Sequence, residues 1–241
     1  MNSLILCEGP TDAILLSYYL ERVAGWHFTK KAPAGLDIKS SDRNESVNWY
    51  KRGSDYLLIC GVGGKDNFNR FFKQSLENPI IHAGAFEKIA VITDRDRRET
   101  AAIEQAIISA FSGLFPDFED RHWIMNKSSD AFDMEKDREI LLLIIPEAHA
   151  GALETVMLDA ISEDAYDKNI VNLCKNFVGK MRSEASRYIS SDRLQLKSEL
   201  GVIWAIQYPE KVFSLINEVI REVPWETYET LRECFKPLEE I

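Results

Sequence analysis

Four carboxylates are the first residues in this chain whose types and spacing could do chemistry. Glu8 and Asp12 stand in Leu4-Ile5-Leu6-Cys7-Glu8-Gly9-Pro10-Thr11-Asp12, and Asp94 and Asp96 in Ile89-Ala90-Val91-Ile92-Thr93-Asp94-Arg95-Asp96. A group of hard oxygen ligands without cysteine or histidine suits Mg2+ or Mn2+. Two such ions, roughly 3.5–4 Å apart, can stabilise the attacking and leaving oxygens of an in-line phosphoryl displacement. Asp94 and Asp96 are two positions apart, so in an extended chain both side chains face the same way and can meet one ion or bracket two.

The elements that must position these acids are legible around them. Each pair follows a short apolar run of the kind that forms a buried parallel strand, and Gly9-Pro10 breaks the first run before a helical pattern begins. Open α/β sheets bind ligands beyond the carboxyl ends of their strands, so Glu8, Asp94 and Asp96 are expected in one site although far apart in sequence. From Thr11 to Ala24, Ala13, Ile14, Leu16, Leu20 and Val23 recur at helical spacing. That helix carries Asp12 in its first turn, where it either favours the helix dipole or shares a cation with Glu8.

A second strand, Tyr56–Cys60, runs into Gly61-Val62-Gly63-Gly64-Lys65-Asp66-Asn67 before a helical pattern in Phe68, Phe71, Phe72 and Leu76. Such a turn either aims backbone N–H groups and Lys65 at an anion, with Gly63 and Gly64 as its pivots, or is only a tight turn with an exposed lysine. Its spacing is neither that of a Walker A loop nor of a dinucleotide fingerprint. Further strands are expected at His122–Met125 and Glu139–Ile145, the latter ended by Pro146, and helices at Glu99–Leu114 and Ala152–Ile161. Arg95, Arg97 and Arg98 lie beside the second acid pair and either neutralise it or contact phosphate. Glu154 sits in the first turn of the last of these helices.

Residues 25–56 are polar, with scattered Gly and Pro and no sustained period, and read as a loop or insertion. After Ala165 strands give way to helices. The expectation is an α/β domain over residues 1–162, with four or five mainly parallel strands flanked by helices, and a helical C-terminal extension over 163–241 packed on it. Ser190-Ser191-Asp192 reads as an N-cap cluster ahead of an apolar stripe of Leu196, Leu200, Ile203 and Trp204. Lys197 projects off that stripe, either toward the acids as a partner for phosphate or into solvent.

The Glu8-Gly9-x-x-Asp12 and Asp94-x-Asp96 motifs, each after a strand and in this order, resemble the toprim domain of topoisomerases, bacterial primases, small ribonucleases and overcoming-lysogenization-defect nucleases. The resemblance covers roughly the first 160 residues. It implies a Rossmann-like, mainly parallel sheet, Mg2+ or Mn2+ (two ions), and nucleic acid as partner. Many members carry glycine shortly after the second acid pair, where this chain has Arg97-Arg98, and that leans away from topoisomerases and primases toward the nuclease-like and uncharacterised small members. The Gly-Gly-Lys turn at Lys65 is similar to one in several small toprim proteins. Gly151-Ala152-Leu153-Glu154 resembles an element that supplies a further metal-coordinating carboxylate in the nucleases, and Lys197 resembles their late lysine. The larger nucleases carry an ATPase domain; this chain has no P-loop, which implies an ATPase partner subunit as one possibility.

Composition bounds the rest. The chain has 241 residues and a formal charge of −10, which runs against a uniformly basic nucleic-acid binder. Locally the sign reverses: from Lys175 to Lys197, six basic residues, including Arg182 and Arg193 as candidate phosphate or nucleic-acid contacts, stand against Glu184 and Asp192. No apolar run reaches the ~20 residues that span a bilayer and no basic leader precedes the first strand, so a cytoplasmic protein without membrane contact is expected. Four scattered cysteines give neither a zinc pattern nor a disulfide framework. The carboxylate chemistry together with the toprim resemblance points first to a metal-dependent phosphodiester-cleaving enzyme acting on DNA or RNA. The alternative is a non-catalytic or regulatory module that binds nucleic acid or a phosphorylated ligand, beside an ATPase or alone.

Overall fold

The structure is a computed structural model that describes residues 1–82, 84–111, 118–129, 135–211 and 216–241. Its centre is a sheet of buried apolar strands: β1 (Asn2–Cys7), β2 (His27–Thr29), β3 (Ser46–Arg52), β4 (Asp55–Gly61), β5 (Lys88–Asp94), β6 (Trp123–Ser129) and β7 (Glu135–Ile145). The order across the sheet is β2-β3-β4-β1-β5-β7-β6. The pairs β4–β1, β1–β5 and β5–β7 are parallel, while β2–β3, β3–β4 and β6–β7 are antiparallel.

The parallel strands are apolar on both faces because both faces are covered. Ile5, Cys7, Leu57, Ile59, Ala90, Ile92, Leu141, Leu143 and Ile145 pack with α1 (Pro10–Ala24), and the alternate residues Leu4, Leu6, Leu58, Cys60, Val91 and Ile144 pack with Phe68, Phe71 and Phe72 of α2 (Phe68–Phe71) and its extension, and with α3 (Thr100–Ala110). On the α1 side the core continues through α4 (Leu153–Ile161), α5 (Ala165–Glu184), α6 (Asp192–Gln207), α7 (Ile216–Glu222) and α8 (Glu229–Phe235), whose Met157, Val171, Ile203, Ile220 and Phe235 join the same buried cluster. The helical C-terminal segment thus shares one core with the sheet.

Two expectations need correction. Among the described residues the sheet has seven strands rather than four or five, and residues 25–56, expected as a loop, contain β2 and β3. Periodicity fails there because β3 is a semi-exposed strand near the sheet edge, with buried Trp49 and Tyr50 among polar neighbours. The usable signal was local: Arg52 pairs with Asp55 across the two-residue turn Gly53-Ser54, and Gly53 has φ 60°. Among the described residues no helix is long and apolar enough to cross a membrane.

Candidate functional site

Taken in chain order, the parallel strands β1, β4, β5 and β7 lie in the order second, first, third, fourth, so the sheet changes direction between β1 and β5. Crevices form beyond the strand ends at such a point. Leu6 stands opposite Val91 in the register, and the two strands deliver Glu8 and Asp94 to that crevice. Both residues are buried, 1% and 3% exposed. Oε1 of Glu8 accepts the Thr93 hydroxyl at 2.8 Å and the Asp94 backbone N–H at 2.9 Å. Oδ1 of Asp94 accepts the backbone N–H of Leu153 at 3.0 Å, so the N-terminus of α4 is docked on this acid.

Asp12 and Glu154 complete the acidic group from the first turns of α1 and α4. Oδ2 of Asp12 accepts the Gly9 N–H at 2.7 Å, which closes the turn between β1 and α1. Burial pushes the Asp12 carboxyl up to about 7; the Gly9 N–H opposes this, Glu8 and Glu154 add to it, and Arg193 partly offsets it. Asp94 is held well above the usual carboxylate range, first by burial and then by repulsion from Glu8, Asp12 and Glu154, with Arg193 again opposing. These directions place the four acids in one electrostatic group.

The cations over this group come from α6. Arg193 lies with Nη1 3.5 Å from Oε2 of Glu8 and Nη2 3.9 Å from Oδ2 of Asp94. One turn later, Nζ of Lys197 lies 3.6 Å from Oε1 of Glu154, with its side chain 48% exposed. Arg193, expected only as a phosphate contact, is the neutraliser. Its signal in the sequence was a cation in the first turn of a helix, where the dipole disfavours it.

The arginines next to Asp94 do other work. Arg95 is tied to the Pro146 carbonyl at 2.8 Å, to Thr100 at 2.9 Å and to Asp120 at 3.8 Å, which makes it a bracing residue rather than a phosphate contact. Arg97 pairs with Asp192 at 2.5 Å, and Arg98 donates to the Asp94 carbonyl at 3.4 Å. Asp96 also departs from expectation. β5 ends at Asp94, and Asp96 has φ 52°, so the alternation that would have aligned the two carboxylates is broken. Its backbone exchanges hydrogen bonds with Gly151, at 2.7 and 2.9 Å, and its carboxylate pairs with Lys65. The glycine turn is likewise engaged: the Gly64 N–H donates to the Glu8 carbonyl at 2.6 Å and the Gly63 carbonyl accepts from Asn67 at 2.7 Å. The turn holds the Glu8 backbone, and that N–H is not aimed at an outside anion.

Beside the acids opens a cleft of about 930 Å³ whose lining includes Lys65, Arg97, Arg98, Arg182 and Arg193 against Asp96 and Asp192. Arg182 is held there by Asp192 and Gln195, both at 2.8 Å. A chain of strongly negative net charge thus presents a basic wall next to its buried acids. Among the described residues no group of three or more His, Cys, Asp or Glu side chains is arranged to hold a metal ion. The donor chemistry nevertheless fits a hard divalent cation: every candidate ligand is a carboxylate, and Oε2 of Glu8 is buried without a hydrogen-bond partner.

Residues 2–215 match the family described as "Protein of unknown function (DUF3226)". Among solved structures, a hypothetical protein from Pyrococcus horikoshii OT3 is similar at 17% identity and a TM-score of 0.47, over 98% of this chain and 99% of that one. No curated protein matches.

Proposed function

We propose that this chain, which belongs to the DUF3226 family, cleaves phosphodiester bonds of DNA or RNA with the help of Mg2+ or Mn2+ at the Glu8–Asp94 crevice. The observation that carries the reading is Oε2 of Glu8, buried and without a hydrogen-bond partner beside a second buried carboxylate. Buried negative charge is costly unless it is paired or coordinates a metal; the hydrogen bonds around Glu8 engage only its other oxygen, and Oε2 is met by Arg193 at 3.5 Å without a hydrogen bond. A cationic cleft at the same edge supplies the complementary surface for a phosphate backbone. The toprim resemblance of the two acid motifs supports the same assignment.

In this reading Glu8 and Asp94 would hold the cation, with Asp12 and Glu154 adding to the negative charge of the site. A divalent cation held there would supply Lewis-acid polarisation of a phosphoryl oxygen and offset charge on the attacking and leaving oxygens. Lys197, on the helix face turned to Glu154, offsets charge on the non-bridging oxygens. Arg182 and Lys65 position the neighbouring phosphates from the cleft wall. Four buried free thiols accord with a reducing, cytoplasmic setting.

The test is Mn2+-dependent cleavage of end-labelled single- and double-stranded DNA and RNA by wild type and Asp94→Asn. Cleavage by wild type that the variant lacks supports the proposal. Oligonucleotide binding without cleavage of any substrate replaces it with a binding module, acting alone or beside an ATPase subunit.

A further inference from the structure

We infer that Arg193 is an exchangeable counter-ion: it neutralises Glu8 and Asp94 at rest, and a divalent cation that takes these carboxylates releases its guanidinium to a phosphate in the adjoining cleft. Cation and phosphodiester then bind cooperatively. This rests on the cation reading of the site given above.

The contacts are those of a loosely held ion. Charge-assisted N–H···O bonds are normally about 2.7–2.9 Å long, and a guanidinium facing two carboxylates can make bidentate ones. Arg193 instead stands 3.5 Å from Glu8 and 3.9 Å from Asp94, leaving Oε2 of Glu8 without a hydrogen bond. Its side chain is 41% exposed while that of Glu8 is 1% exposed, so the cation reaches in from the cleft and is not sealed into the core.

The helix beneath it has reasons of its own to stay in place. Ser191 caps α6 by accepting the Leu194 N–H, and Asp192 bridges Arg97 and Arg182. Leu200, Ile203 and Trp204 are buried in the core. Exchange therefore requires only rotation of the Arg193 side chain. A cation in a first helical turn opposes the dipole, so the residue is not placed there to stabilise the helix.

The released guanidinium has a destination. Arg193 itself lines the cleft, where Lys65 is paired with Asp96, and Arg97 and Arg182 with Asp192. Adding a cation at Glu8 and Asp94 frees positive charge next to where a phosphate would lie. A phosphate that draws Arg193 away exposes the carboxylates in return. Linkage makes the two effects equal in magnitude.

The experiment is calorimetric titration of Mn2+ into wild type, Arg193→Gln, Arg193→Lys and Asp94→Asn, each with and without a short phosphorothioate DNA oligonucleotide that resists cleavage. In wild type the oligonucleotide should tighten Mn2+ binding by about fivefold or more, a usual size for coupling between sites. Arg193→Gln should bind Mn2+ more tightly than wild type without oligonucleotide and lose most of the coupling, whereas Arg193→Lys should retain it. Mn2+ affinity in Arg193→Gln equal to or weaker than wild type, with Asp94→Asn still impaired, overturns the exchange alone. Mn2+ binding indifferent to Asp94→Asn, or missing throughout, overturns the cation site and the exchange with it.

Discussion

The hydroxyl of Thr93 donates to Oε1 of Glu8 at 2.8 Å, across the junction of β1 and β5, and both side chains are buried. This bond and the Asp94 N–H fix one oxygen of Glu8 and leave the other toward Arg193. Thr93→Val keeps the shape of the residue and removes the donor, so a buried carboxylate loses a partner. The expected cost is about 1–3 kcal/mol in urea unfolding, with Thr93→Ser close to wild type. Equal stability of Thr93→Val and wild type would show that Glu8 does not depend on this bond.

The turn after β1 is held against β4 by a close backbone approach. A Cβ on Gly61 would lie 2.6 Å from both the carbonyl carbon and oxygen of Gly9 and 2.8 Å from the Ser46 hydroxyl. Gly61→Ala should therefore displace the Gly9 turn next to Glu8 and destabilise by about 1–3 kcal/mol, as overpacking does. Gly179→Ala, in the middle of α5 with open space at its Cβ, serves as the contrast and should stabilise by about 0.5–1 kcal/mol. Both are read from denaturant midpoints, and a neutral Gly61→Ala would contradict the packing described.

Legibility in the sequence followed the physics of each element. β1, β4, β5 and β7 were visible because strands covered on both faces are continuous apolar runs, and Glu8 and Asp94 were visible because acids end those runs. β2 and β3 were missed because near-edge strands carry polar residues on their wet side. Asp96 was aligned with Asp94 on the assumption of extended backbone, which its left-handed conformation breaks one residue pair too early for sequence patterning to register. Arg193 was harder still. A guanidinium reaching across from α6 to two strand ends is a tertiary relationship, and its local trace is only a cation where a helix start would rather have an acid.

Glu163 ties the C-terminal helices to α4 by accepting the N–H groups of Glu229 at 3.0 Å and Thr230 at 2.7 Å. Burial alone would raise its carboxyl, but the N–H donors of Thr230 and Glu229 with Arg232 outweigh this and hold it below the ordinary value. A carboxyl lowered by folding stabilises above its unfolded pKa, and the gain is lost as pH falls through the folded one. Glu163→Gln should thus cost about 1 kcal/mol or less near pH 7, by analogy with lost helix caps. The difference in melting temperature from wild type should shrink as the pH is lowered below the ordinary carboxylate range. A difference independent of pH would place the effect in packing and not in charge.

Under the proposed phosphodiester cleavage, Lys197 bears on the chemical step itself. Its Nζ lies 3.6 Å from Oε1 of Glu154 with the side chain 48% exposed, while Leu200 and Ile203 of the same helix are buried in the core. The helix is fixed and the ammonium group stands beside Glu154 of the acidic group, where under the proposed reaction charge on the non-bridging oxygens of a phosphoryl group would develop. A cation so placed contributes more in the transition state than in the bound ground state, because the charge it meets grows as the reaction proceeds. Lys197→Met retains most of the aliphatic stem and removes the charge. Mn2+-dependent cleavage should fall about a hundredfold or more in kcat, with oligonucleotide affinity at fixed salt within about threefold of wild type. An equal loss in affinity and rate would make Lys197 a general phosphate contact, and full activity in the variant would remove it from the mechanism.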